Sequence, residues 1–134
     1  MTQVQRDGHR MLVLRFGGAS YALSAGDLAA IDQDGASARI AVDGPVQDLA
    51  DMLPHATPAA EPVRLIVSAP GTGDGGTRRR AFRAAASLEL VDASTLYRLP
   101  RFLRGAGCAP WIRGVALLEQ PTVWIDLARL AAAS

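Results

Sequence analysis

Lysine is absent from this 134-residue chain, cysteine occurs once, histidine twice, and aromatic residues make up only 5%. A lone thiol, Cys108, has no partner for an internal disulfide and cannot build a metal site by itself, which agrees with a reducing compartment. No run of about 18 uncharged apolar residues occurs, so no membrane-spanning helix and no direct membrane insertion are expected. The opening MTQVQRDGHRM carries charges and polar groups but no apolar core of a signal peptide, and the chain is read as cytoplasmic. There is no Cys-x-x-Cys or paired-histidine spacing to hold zinc.

What the chain does have is apolar material, 49% of its residues, enough for one domain or for two small lobes sharing a core. The formal net charge is +1, yet the halves differ: residues 1–62 hold 4 arginines against 8 acids, and residues 63–134 hold 10 against 5. Such polarity can orient an encounter with a charged partner but falls short of the basic footprint of a nucleic-acid binder. Because arginine supplies every fixed positive side-chain charge in a chain rich in Ala and Gly, its use reads as coding bias, and single arginines carry less functional weight.

Along the chain, short apolar runs alternate with turns. Met11–Phe16 and Ser20–Leu23, joined by Gly17-Gly18, predict an opening hairpin. Ser24 predicts the cap of a brief helical turn over Asp27–Ile31, broken at Asp34-Gly35. Arg39–Val42 is a further strand candidate, and Asp48–Leu53 reads as a helical turn stopped by Pro54. Residues His55–Pro62 read as a connector, Val63–Ser68 as a buried strand, and Arg79–Val91 as strand rather than helix, because Phe82, Leu88 and Leu90 alternate with polar neighbours. Val115–Leu118 and Thr122–Ile125 complete a second hairpin, closed by a turn that Asp126 caps. DLADML at Asp48–Leu53 and DLARLA at Asp126–Ala131 echo one another, which suggests two lobes closed by the same strand-to-helix device. Strands at such spacing are the pattern of small β-barrels.

Nothing in this layout assembles catalytic chemistry. A Cys108–histidine nucleophile would need His9 or His55 buried and oriented, and neither segment has that character. The acid pairs Asp32 with Asp34 and Glu89 with Asp92 lie beside turns, where aspartate has a backbone role. GTGDGGTRRR at Gly71–Arg80 lacks the Lys-Ser/Thr of a phosphate loop, and Asp74 would oppose a phosphate. The Arg78-Arg79-Arg80 run with Arg83 has no interleaved aromatics to stack bases, so a solvated edge or a salt-bridging surface is favoured over nucleic acid. An RNA-binding barrel built on that run and a small Cys-dependent enzyme remain the alternatives to a binding module.

The segment from Leu99 to Leu130 resembles the CheW family of chemotaxis coupling proteins: Pro100, Trp111-Ile112-Arg113-Gly114-Val115 and Ile125-Asp126-Leu127-Ala128-Arg129-Leu130 fill the family's places, and LVLRFGGASYALS is similar to its opening hairpin. The resemblance covers residues 10–131 and implies an all-β fold of two small SH3-like β-barrel lobes with short helical turns, here 10–56 and 63–131. It implies an adaptor without enzymatic activity, cofactor or metal. Its partners would be the regulatory domain of a CheA-like histidine kinase and a chemoreceptor cytoplasmic tip, in the cytoplasm at membrane-associated receptor arrays, with self-association as a further property.

Within that expectation Trp111, Ile112, Gly114, Asp126, Leu127 and Leu130 are structural. Gly114 would spare the backbone a Cβ clash, Trp111 and Ile112 would anchor a loop, and Asp126 would accept from free amides. Leu28 and Ile31 on the first lobe, Gly44 at its turn, and Leu88 and Leu90 on a second-lobe strand are the expected interface residues. Two positions depart from the family pattern. Ala30 stands where the family has an acid, and Ala41-Val42-Asp43-Gly44 keeps the glycine of an Asn-Leu-Arg-Gly turn but not its partner-contacting arginine. Such departures fit an adaptor specialised to a motility or pilus pathway.

Overall fold

The computed structural model describes residues 2–4, 9–33, 46–68, 80–93, 95–99 and 110–132. The expected strand over Arg39–Val42, the Gly44 turn, Arg78, Arg79, Pro100 and Cys108 lie outside them. Strands dominate: β1 (Thr2–Val4), β2 (His9–Arg15), β3 (Ser20–Ser24), β4 (Leu28–Gln33), β5 (Gln47–Asp48), β6 (Val63–Ser68), β7 (Ala81–Ala85), β8 (Ser87–Ala93), β9 (Thr95–Arg98), β10 (Ile112–Leu117) and β11 (Pro121–Ile125). Two short helices follow strands, α1 (Leu49–Met52) after β5 and α2 (Leu127–Ala132) after β11. No helix among the described residues is long and apolar enough to cross a membrane.

The strands form a seven-stranded sheet, β1-β9-β10-β11-β3-β2-β8, and a four-stranded sheet, β4-β6-β7-β5. The larger one closes on itself. β1 and β2 run antiparallel to β9 and β8, with Val4 opposite Leu96 and His9 opposite Ala93. Since β9 pairs with β10 and β8 with β2, the path β10-β11-β3-β2 leads from β9 back to β8, its neighbour in the chain, in the manner of a small SH3-like barrel. Alternation along those strands aims Met11, Ala22, Ala93, Leu96, Ala116 and Trp124 into the barrel. Their neighbours Leu12, Leu14, Tyr21, Leu23 and Ile125 face outward onto Ile66, Phe82 and Ala84 of the other sheet and onto Leu49 and Leu53 at α1. That second cluster is the main core. Leu12, Leu14, Ile66 and Phe82 are each at most 1% exposed there, and burial of such side chains is worth about 1.5–3 kcal/mol apiece.

The all-β, two-lobed architecture is therefore as expected, with differences in how the chain is distributed. The opening hairpin β2–β3 pairs with β8 and β11, not with β4–β7, so the sheets do not divide the chain into 10–56 and 63–131. Leu12 and Leu14 find their apolar cross-strand partners, Leu90 and Leu88, in the second half of the chain. The expected strand over Arg79–Val91 exists but is broken at Ala86, where the chain leaves one sheet for the other. Asp27–Ile31 is not helical: a 3-10 turn occupies Ala25–Asp27, β4 follows, and Ser24 makes no side-chain cap because its Oγ accepts from the Trp124 indole N–H at 2.9 Å.

The repeated strand-to-helix device is present in both sheets. β5 lies parallel to β7 and β11 parallel to β3, and each leads into a helix under an aspartate. The carboxylate of Asp48 accepts from Ala50 N–H at 3.0 Å, and that of Asp126 from Arg129 N–H at 3.2 Å.

Candidate protein-docking surface

Three large apolar side chains stand out as exposed among the described residues: Leu90 at 54%, Ile31 at 38% and Val63 at 37%. Two of them lie on edges. β4 pairs with β6 alone and β8 with β2 alone, so Ile31 and Leu90 each sit on a strand with one side of its backbone unpaired among the described residues. Ile31 is opposite the fully buried Ile66 and Leu90 opposite the buried Leu12, so both lie on main-core faces. They extend the core to the surface at its margins, one from each sheet.

The expected interface residues thus separate. Leu28 and Leu88 are partly buried and pack against the main core. Ile31 and Leu90 are the exposed pair, on different sheets, and Gly44 lies outside the described residues. Val63 was not anticipated, because VRLIVS reads as a wholly buried strand; its position first in β6, directly after Pro62, is the signal that burial begins later.

A network of charges lies where the sheets join. Arg113, on β10, reaches Asp27 of the 3-10 turn at 2.8 Å and Asp126, just before α2, at 3.1 Å, while Arg129 approaches Asp126 at 3.8 Å. Burial pushes the Asp27 carboxyl above its ordinary value of 3.8; the Arg113 charge opposes this and the Asp126 charge adds to it. The guanidiniums of Arg113 and Arg98 each lie 5.6 Å from the Trp124 ring centroid. The arrangement fixes the crossover from β3 to β4 against the closing helix. It offers no paired acid and base facing a cleft.

The residues expected to be structural are placed as follows. The Trp111 carbonyl accepts from Asp126 N–H at 2.8 Å, and its ring meets Tyr21 edge-on at 6.4 Å. Leu127 and Leu130 are 2% exposed in the main core, and Ile112 packs against it. Gly114 sits at a register shift of β10, where an added Cβ would fall 1.8 Å from the Tyr97 carbonyl oxygen. Its need is for close strand approach, with no positive φ involved. Arg113, not singled out from sequence, proves to be the hub; its place between Ile112 and Gly114 in the same motif was the available signal.

No group of three or more His, Cys, Asp or Glu side chains is placed to hold a metal among the described residues. His55 is exposed with φ 61°, and Cys108 lies outside the described residues. The sequence matches no protein-family model and no curated protein. In three dimensions the chain is similar to a CheW scaffolding protein of Thermoanaerobacter tengcongensis, with a TM-score of 0.60 at 12% identity, over 94% of this chain and 89% of that one.

Proposed function

From the premise of a CheW-like fold, we propose that this protein is a non-enzymatic adaptor of chemotaxis-type signalling, bridging a CheA-like kinase regulatory domain and a chemoreceptor cytoplasmic tip. The observation that carries the reading is the exposed Ile31 on β4, an edge strand of such a fold among the described residues. Edge strands are templates for pairing with another sheet, and a fold-related regulatory domain would dock there edge to edge. Ile31 supplies the apolar anchor on that lobe and Leu90 the second; Leu28 and Leu88 support them from the core, and Gly44 is a further contact residue. A helical receptor tip would lie between the lobes. Affinity comes from these few anchors while surrounding charges set orientation.

Ala30 and Asp43, at places where the CheW family carries an acid and an arginine, favour a specialised motility or pilus pathway over general coupling. The protein would work in the cytoplasm at membrane-associated receptor arrays and self-associate there. Co-precipitation with purified kinase regulatory domains and receptor tips from the same organism tests this. Retention of at least one of them is expected; retention of neither leaves the fold standing and removes the coupling role.

A further inference from the structure

The barrel is closed along only part of its seam. Of the consecutive strands β8 and β9, β9 is paired on both sides, with β1 and β10, whereas β8 pairs with β2 alone among the described residues. β10 ends at Leu117, opposite Thr95, and the chain then turns through Leu118–Gln120 into β11 instead of continuing alongside β8. The seam therefore opens into a cleft of ≈ 370 Å³ between β8 and the β10–β11 turn. Past Arg15, Leu118 and Glu119 it runs on into a groove of ≈ 560 Å³ beside the β2–β3 turn.

Val91 and Leu118 form an apolar floor, since both pack against the barrel interior. The walls of the cleft carry three carboxylates, Glu89, Asp92 and Glu119, against one guanidinium, Arg15, which is paired with Glu89. Arg10 reaches Asp92 only at 3.7 Å, with both side chains about two-thirds exposed, so water or a ligand cation can replace it. The β8 edge is seven residues long, contains no proline and no bulge, and bears the exposed Leu90. An edge of this length without proline or bulge accepts an added strand, and its acids select which one.

We propose that the open seam binds an extended peptide segment of alternating basic and apolar residues, added as a strand along β8 with its basic side chains toward Asp92 and Glu119. A second copy's β8 would bring the same carboxylates against these, which disfavours self-pairing at this edge. The site shares Leu90 with the proposed coupling surface but not Ile31 or β4, and its charged walls, Arg15, Glu89, Asp92 and Glu119, belong to the barrel.

The test is an NMR titration of the full chain with a heptapeptide of alternating arginine and valine. Controls are the same peptide N-methylated at alternate amides and an alternating glutamate–valine peptide. Shift changes confined to Ser87–Ala93 and Leu117–Glu119 are expected, with binding weakened roughly tenfold or more by N-methylation and by the exposed-site double variant Asp92→Lys, Glu119→Lys. Shifts elsewhere or none, equal binding of the N-methylated peptide, or indifference to the double variant would overturn the proposal.

Discussion

Gly114 carries a constraint that no other residue type can meet. Its missing side chain lets β9 approach β10 where the register shifts, and an alanine Cβ at 1.8 Å from a backbone oxygen has no flexible neighbour to displace. Gly114→Ala should therefore cost about 3 kcal/mol or more, read as a lower denaturant midpoint at unchanged slope. A loss below about 1 kcal/mol would show that the strands can separate cheaply. The need for a glycine was legible in the Trp-Ile-Arg-Gly motif, but its cause, the nearness of Tyr97, depends on a strand pairing that no local pattern reveals. Asp27 gives a second prediction. Its carboxyl, raised by burial, holds its proton to a higher pH in the folded than in the unfolded chain. The stability this contributes is present in acid and is lost as pH rises from 3.8 through the folded value. Urea midpoints taken from about pH 4 to 7 should show the wild type losing ground to Asp27→Asn as pH rises, and a difference moving the other way would contradict the burial argument.

At the scale of elements, exposure separates anchors from supports. Ile31→Arg and Leu90→Arg each place a charge on an exposed edge, so the unfolding midpoint should move by no more than about 0.5 kcal/mol equivalent. Leu88→Arg, directed into the main core, should cost several times that, on the order of 2–4 kcal/mol. Equal losses in all three would mean that Ile31 and Leu90 are packed as deeply as Leu88. Sequence alternation had marked Leu88 and Leu90 alike, since a period of two reports the face and not the distance from its margin. It also misread Asp27–Ile31 as a helical turn: Ser24, a good cap by type, bonds Trp124 from a strand 100 positions away, and that tertiary contact overrides the local preference. The two aspartate-capped helices were legible because capping is a local interaction.

In the whole molecule, two sheets share one core: the four-stranded sheet comes from the contiguous stretch 28–85, and the seven-stranded one from the segments on either side of it. The all-β class followed from strand-length runs and turns, and the CheW-like likeness from a short motif whose described residues are largely buried in or packed against the core. The exchange of the opening hairpin into the C-terminal barrel was not legible, because apolar pairing of β2 with β8 leaves no periodic trace in either strand. The same motif residues explain why fold is plainer here than function: Trp111, Gly114, Asp126 and Leu130 are held by packing, whereas an anchor such as Ile31 is defined only by a partner. The adaptor account is tested most directly by calorimetric titration of a CheA-like kinase regulatory domain from the same organism with the wild type and with Ile31→Arg. It predicts one-to-one binding that the variant weakens by about tenfold or more while its unfolding midpoint stays put. Absence of binding by the wild type, or equal binding by the variant, would contradict it.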